Sequence, residues 1–240
     1  LITFSNQKFY NNDLVIFPSP HAKAPEYGVK FSYVKGGRFV NQHNVEEARV
    51  VAKAVTKHAL NHPNESLGIV AMSSKQRDQI ERAVEEACKQ NTEVQEAVEQ
   101  LKEKEDGLFI KNLENVQGDE RDVIFISCTY GPSEVGGRVF QRFGPINSDV
   151  GWRRLNVLFT RSKKRMHVFS SMKAEDVKVD NAPKKGVMAL HQFLSFAEHG
   201  SLKATPAHSG REPDSDFEIA VIDALSEAGF ECEAQVGVAG

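Results

Sequence analysis

Residues 114–128 read ENVQGDERDVIFISC, and the fold turns on how that stretch divides. Its first half is a polar loop holding Gln117, Gly118 and Glu120. Its second half, Val123-Ile124-Phe125-Ile126, is a short apolar run of the kind buried on both faces of a parallel sheet. Working outward, apolar runs alternate with helical patterns: Leu67-Gly68-Ile69-Val70-Ala71, a helical stretch over 76–88, Leu108-Phe109-Ile110, then 150–160 and Met166-His167-Val168-Phe169. This alternation predicts an α/β fold, a doubly wound parallel sheet flanked by helices.

The helices have readable ends. Asn44 starts one, with Glu46 and Glu47 in its first turn and Val45, Ala48, Val51, Ala52, Val55 and Leu60 at helical spacing; it should stop near Asn61-His62-Pro63. Residues 92–104 form a charged helix whose narrow apolar stripe is Val94, Ala97, Val98 and Leu101, an outer layer over the sheet. The loop 131–149 is long, carries four glycines, and includes Arg138, Phe140, Arg142 and Phe143; loops of that length in a compact domain are often functional. A helix over 185–198 closes a first domain, 1–198. Residues 199–214, rich in Ser, Pro and charge, read as a linker. Beyond it, 215–240 begins a second domain: a helix with Phe217, Ala220, Val221, Ala224 and Leu225 on its apolar face, ending at Gly229, then a strand over 232–238.

At 240 residues and 40% hydrophobic, the chain can bury one good α/β core and carry a smaller appendage. No stretch approaches the ~18 apolar residues of a spanning helix, and no secretory signal opens the chain. The absence of an initial methionine leads us to expect a longer parent. Cys88, Cys128 and Cys232 are far apart and form no CxxC pair, so reduced thiols in a cytoplasmic protein are expected. A net charge of −3 argues against a uniformly basic surface, so any nucleic-acid contact must be local. The one dense basic cluster is Arg153, Arg154, Arg161, Lys163, Lys164 and Arg165.

That cluster lies in 153–164, RRLNVLFTRSKK. Phosphoryl transfer spreads charge over the γ-phosphate oxygens, and an arginine, always charged and forked, suits it. Arg161 is the first candidate. On one continuous helix Arg154 would share its face, Leu155, Leu158 and Phe159 would point inward, and Lys163, Lys164 and Arg165 would follow at the helix end. The same cations would serve equally to solvate a helix C-terminus. Gln117, Gly118 and Glu120, just before a buried strand, suit a ligand's sugar hydroxyls or an ordinary polar turn. Ser73, Ser74 and Gln76, between a strand and a helix, suit a phosphate or a plain N-cap. No GxxxxGK[ST] loop exists, so the chain has no P-loop of its own. No His/Cys/carboxylate group has metal-ligand spacing, and no metal site is expected.

Taken together, ENVQGDERDVIFIS resembles motif V, and RRLNVLFTRS motif VI, of superfamily 1 helicases of the Upf-like, RecA-fold branch. The stretch LITFSNQKFYNNDL with Phe17-Pro18-Ser19-Pro20 is similar to the segment after motif IV, and LGIVAMSSKQRDQIE to motif IVa, so the likeness covers about residues 1–195. The Thr-Pro-Tyr common in relatives is Ala71-Met72-Ser73 here, and the motif IV arginine is absent. The resemblance implies a second RecA-like motor domain, with the phosphate loop and magnesium motif on an N-terminal RecA-like domain of the same parent. It implies Arg161 as an arginine finger, Glu120 at the ribose, Arg154 supporting that face, and Gln117 with Gly118 coupling nucleotide to nucleic acid. Ser73, Ser74 and Gln76 would meet the backbone of single-stranded DNA or RNA.

On that reading the chain is the C-terminal half of an ATP-dependent helicase or translocase using ATP and Mg2+, travelling 5′ to 3′, and alone it is a monomer that does not hydrolyse ATP. The tail, SDFEIAVIDALSEAGFECEAQVGVAG, is similar to the start of a restriction-endonuclease-like domain of the very-short-patch-repair type, with Glu218 its first acidic residue. Two rivals remain: a non-catalytic RecA-like module that binds nucleic acid or protein, and a motor that delivers the nuclease tail.

Overall fold

The computed structural model describes residues 2–10, 27–179, 184–199 and 215–227. The chain divides into two compact units, one of residues 20–200 with Leu1 and one of 2–19 with 201–240.

The first unit is built on five parallel strands, β1 (Gly28–Tyr33), β2 (Leu67–Ala71), β3 (Phe109–Asn112), β4 (Arg121–Ser127) and β5 (Ser162–Ser170), in the order β1-β5-β4-β2-β3. The run that decided the reading, β4, is central. Ile69 of β2 lies opposite Phe125, and Phe125 opposite His167 of β5. Its side chains alternate between faces, as a strand requires. Val123 and Phe125 join one core with Val51, Val55, Ile80 and Phe169. Ile124, Ile126, Met166 and Val168 are equally buried and fall on the opposite phase.

One face is covered by α2 (Val45–Asn61), α3 (Ser74–Gln90) and, outside them, α4 (Thr92–Lys102). The Asn44 side chain accepts from Glu47 N at 3.1 Å, so α2 begins and ends where its caps predict. In α4 the buried residues are Val94, Val98 and Leu101. The other face is covered by α5 (Gly151–Phe159) and α6 (Lys185–His199), whose Phe159 and Phe193 rings stack at 3.9 Å. The sheet is thus doubly wound, as expected, and its architecture is that of a RecA-like α/β P-loop fold.

The link from β3 to β4 is a loop, as the polar residues before β4 predict: residues 113–120 cross the sheet, anchored by buried Leu113 and Val116. Two features depart from the sequence reading. The edge strand β1 lies outside the unbroken apolar runs that mark the inner strands, because GVKFSY alternates apolar with polar and is half-exposed throughout. The second concerns 153–164. The helix stops at Phe159, Arg161 lies beyond it, and Lys163, Lys164 and Arg165 sit in β5 rather than at a helix end. β5 is flanked on both sides, and its ladders to β1 and β4 outweigh any local preference to extend the helix.

In the second unit, α1 (Ile2–Phe9) and α7 (Asp216–Glu227) are described. Ser215 Oγ accepts from Glu218 N at 3.2 Å at the start of α7, and no residue of α7 is buried. Most of the expected linker, Gly229, the strand over 232–238 and Phe17-Pro18-Ser19-Pro20 lie outside the described residues.

Candidate functional site

A parallel sheet has two chemically distinct edges, one where strands begin and one where they end. The expected site residues divide between them.

At the beginning edge, residues 116–119 form a turn closed by Asp119 N donating to Val116 O at 3.3 Å. Gly118 takes φ +88, a conformation that costs glycine little and other residues more. Asp119 is tied to Lys111 at 2.7 Å, which leaves Gln117, Gly118 and Glu120 exposed. Arg121 N donates to Arg161 O at 3.1 Å, so the turn and Arg161 are neighbours. Arg161 follows the last tight turn of α5, its N–H donating to Leu158 O at 3.1 Å, and it is half-buried. Its Nε donates to Val157 O and one Nη to Thr160 Oγ1, both at 2.8 Å, which orients the guanidinium. The remaining donors of the fork have no partner among the described residues, and the Glu120 carboxylate likewise has none.

The other cations of the cluster are differently employed. Lys163 pairs with Asp106 at 3.5 Å, Lys164 with Asp122 at 3.3 Å and Glu65 at 3.6 Å, and Arg165 with Glu65 at 3.2 Å. Arg154 sits in the first turn of α5, seven residues before Arg161, which lies beyond the end of that helix. Its guanidinium reaches Glu114 at 3.4 Å and Ser148 Oγ at 3.3 Å. A shared helix face for Arg154 and Arg161 therefore does not form, because the helix ends before the second arginine.

At the ending edge the polar groups turn inward. Glu47 is fully buried, and its carboxylate accepts from Ser127 Oγ (2.6 Å), Thr129 N (2.5 Å), Ser171 N (3.1 Å) and Ser171 Oγ (3.1 Å). Burial pushes its carboxyl up to about 7 against the pull of those donors. Gln76, also fully buried, accepts from Asn44 N at 2.6 Å and donates to Asn44 O and Ser127 Oγ, so its amide is wholly engaged inside the fold. Ser73 Oγ accepts from Gln76 N and donates to Gln42 O at 2.6 Å. Ser74 Oγ accepts from Asn112 Nδ2 at 2.7 Å. The network holds Thr129, a β-branched residue at φ +67, in a strained conformation that only surrounding bonds can impose.

Sequence reasoning took Glu47 for an ordinary first-turn acid. Its phase was the missed signal, since 47, 51 and 55 lie on one buried stripe. Also unforeseen is a cleft of about 560 Å³ above this edge, lined by Ser73 and Ser74 together with Phe39, Asn112, Tyr130 and Arg142. It opens where β2 and β4 send their connections to opposite faces, the crevice in which open α/β sheets hold ligands. The 113–120 loop runs from this cleft to the Gly118 turn and so joins the two edges.

An open parallel sheet of five strands with helices on both faces defines an α/β domain of the P-loop class. The chain belongs to the AAA domain family, which residues 1–173 match. It is 33% identical over 231 residues, 92% of its own length, to the uncharacterized ATP-dependent helicase MG140 of Mycoplasma genitalium. It is 31% identical over 201 residues, 82% of its length, to the homolog of that helicase in Mycoplasma pneumoniae. The chain spans 20% and 17% of those two relatives, about a fifth of each. No helix among the described residues is long and apolar enough to cross a membrane.

Proposed function

We propose that this chain is the second motor domain of an ATP-dependent superfamily 1 (Upf-like) helicase or translocase acting on single-stranded DNA or RNA. The observation that carries the reading is the Arg121–Arg161 backbone bond, which sets an arginine with unspent donors beside the exposed Gly118 turn. In this reading Arg161 is the arginine finger: it adds fixed positive charge to a γ-phosphate as that group separates. Glu120 accepts from the ribose hydroxyls. Gln117 and Gly118, on the loop that crosses between the edges, transmit the state of the nucleotide to the nucleic acid. Ser73 and Ser74 face the nucleic-acid backbone, while Gln76 and Arg154 hold the elements that carry these groups.

Among the described residues no group of three His, Cys, Asp or Glu side chains could hold a metal ion. Mg2+ is commonly held by one or two carboxylates with water and substrate phosphates, and no step of this mechanism is routed through it. The phosphate loop and the ion belong, in this proposal, to an N-terminal RecA-like domain of a longer parent, consistent with the small share of the relatives that the chain spans. The isolated chain is then a monomer without ATPase activity. Residues 215–240 are read as the start of a restriction-endonuclease-like domain, and the parent as a cytoplasmic protein.

The test is Arg161→Ala in the parent protein. ATP turnover should fall at least about 1,000-fold, as for other arginine fingers, while the far-ultraviolet spectrum is unchanged. Turnover within a few-fold of normal would sink the assignment.

A further inference from the structure

We infer that residues 35–42 and 132–142 form a platform on which an unpaired base stacks, with Phe140 as its ring and Arg138 and Arg142 as its phosphate contacts. The inference rests on the reading of this chain as a nucleic-acid motor, and it extends the track from the Ser73 cleft onto loops outside the helicase-like motifs.

Four observations carry it. First, the two loops are one body: Phe39 N donates to Pro132 O at 2.8 Å, Phe39 meets Tyr130 edge-on at 5.2 Å, and Tyr130 meets Phe143 at 5.3 Å. Second, the distal loop is pinned beneath. Gln141 Nε2 donates to Val139 O and Asp176 O, both at 2.9 Å, and its Oε1 accepts from Lys178 N at 2.8 Å. Third, on this fixed base Phe140 is 65% exposed and Val40 46% exposed, although buried rings lie beside them. Fourth, Lys35, Arg38, Arg138 and Arg142 are exposed and have no ion-pair partner among the described residues, against the single carboxylate of Glu134 in the same two segments.

A ring held outward among unpaired arginines matches the chemistry of single strands. Arginine takes the phosphates, and every base offers a π-face for stacking without regard to sequence. A duplex fits poorly, since its base faces are already stacked on one another. The location agrees, because Arg142 and Phe39 also line the cleft with Ser73 and Ser74.

The experiment uses this chain and a fluorescein-labelled thymidine oligonucleotide of about a dozen nucleotides, a length within the reach of single-strand sites. Phe140→Ala should weaken binding roughly 5- to 100-fold at fixed salt, the range of one lost stacking contact. Phe140→Trp should restore affinity, and its added emission should be quenched by the single strand but not by a blunt duplex. Arg138→Ala with Arg142→Ala should weaken binding and flatten the dependence of log K on log salt by about 0.7 per arginine removed. Wild-type affinity in Phe140→Ala, equal quenching by the duplex, or no single-strand binding by the unaltered chain would overturn the platform. None of these bears on ATP turnover in Arg161→Ala, so the motor reading stands or falls separately.

Discussion

The two edges of the sheet are built from similar residues and use them in opposite ways. Where the strands end, Glu47, Gln76, Asn44, Ser127 and Ser171 are buried and bonded to one another. Where they begin, Arg161, Glu120 and Gln117 hold donors and acceptors without partners among the described residues. Polar groups spent on the fold fix geometry, whereas unspent groups held in place are available to a ligand. The contrast is sharpest among the basic residues of 153–165. Lys163, Lys164 and Arg165 are paired with acids, and Arg161, a few positions earlier, is not.

The contrast can be broken experimentally. Arg161→Ala tests the unspent side and carries the largest expected effect, a loss of at least about 1,000-fold in turnover with little change in stability. Glu47→Ala tests the spent side. It strands two backbone N–H groups and two hydroxyls in the interior, so urea denaturation should show a loss of roughly 3–5 kcal/mol. A loss below about 1 kcal/mol would mean that the network is ornamental.

Next comes a pH measurement. Glu47 is raised from 4.5 to about 7, so its contribution to stability is full below 4.5 and is lost as pH rises through 7. His167, stacked on Phe169 and bonded to Ser32 Oγ at 2.8 Å, is lowered by burial from 6.5 to about 4. Its contribution is full above 6.5 and is lost as pH falls through 4, so the two oppose each other across one window. His167→Asn removes the rising half. Urea midpoints should therefore show the unaltered chain gaining on that variant by roughly 2–3 kcal/mol between about pH 4 and 6.5. A constant difference across that range would refute the opposition.

The smallest effect is expected at Gly118→Ala. A Cβ there meets nothing within 4 Å, so only the backbone at φ +88 resists it, at about 1–2 kcal/mol. A larger loss of stability would place the turn among the spent structures rather than the unspent ones.

Much of the fold was legible because its signals are local. β4 announces itself as an unbroken apolar run, α2 by Asn44 and its apolar period, and α4 by its narrow stripe. β1 was missed, since its alternating, half-exposed pattern lacks the unbroken apolar run that marks the inner strands. The end of α5 was not legible either, since what stops it is the demand of two neighbouring strands for Ser162 and its successors. Within the candidate site, Arg161, Glu120 and the Gly118 turn could be singled out by residue type and order. The buried role of Glu47 could not, because an acid in a first turn is usually a surface residue.

By itself the sequence determined which segments are strands buried on both faces, where most helices start, and that no phosphate loop lies within these 240 residues. These follow from period and residue type, which act over a few neighbours. Only the tertiary structure decided that Arg121, just after the Gly118 turn, is bonded to Arg161, that Gln76 is consumed inside the fold, and that Phe39 and Arg142 share a cleft with Ser73. Each depends on strands far apart in sequence being set side by side, a long-range pairing that no local pattern encodes.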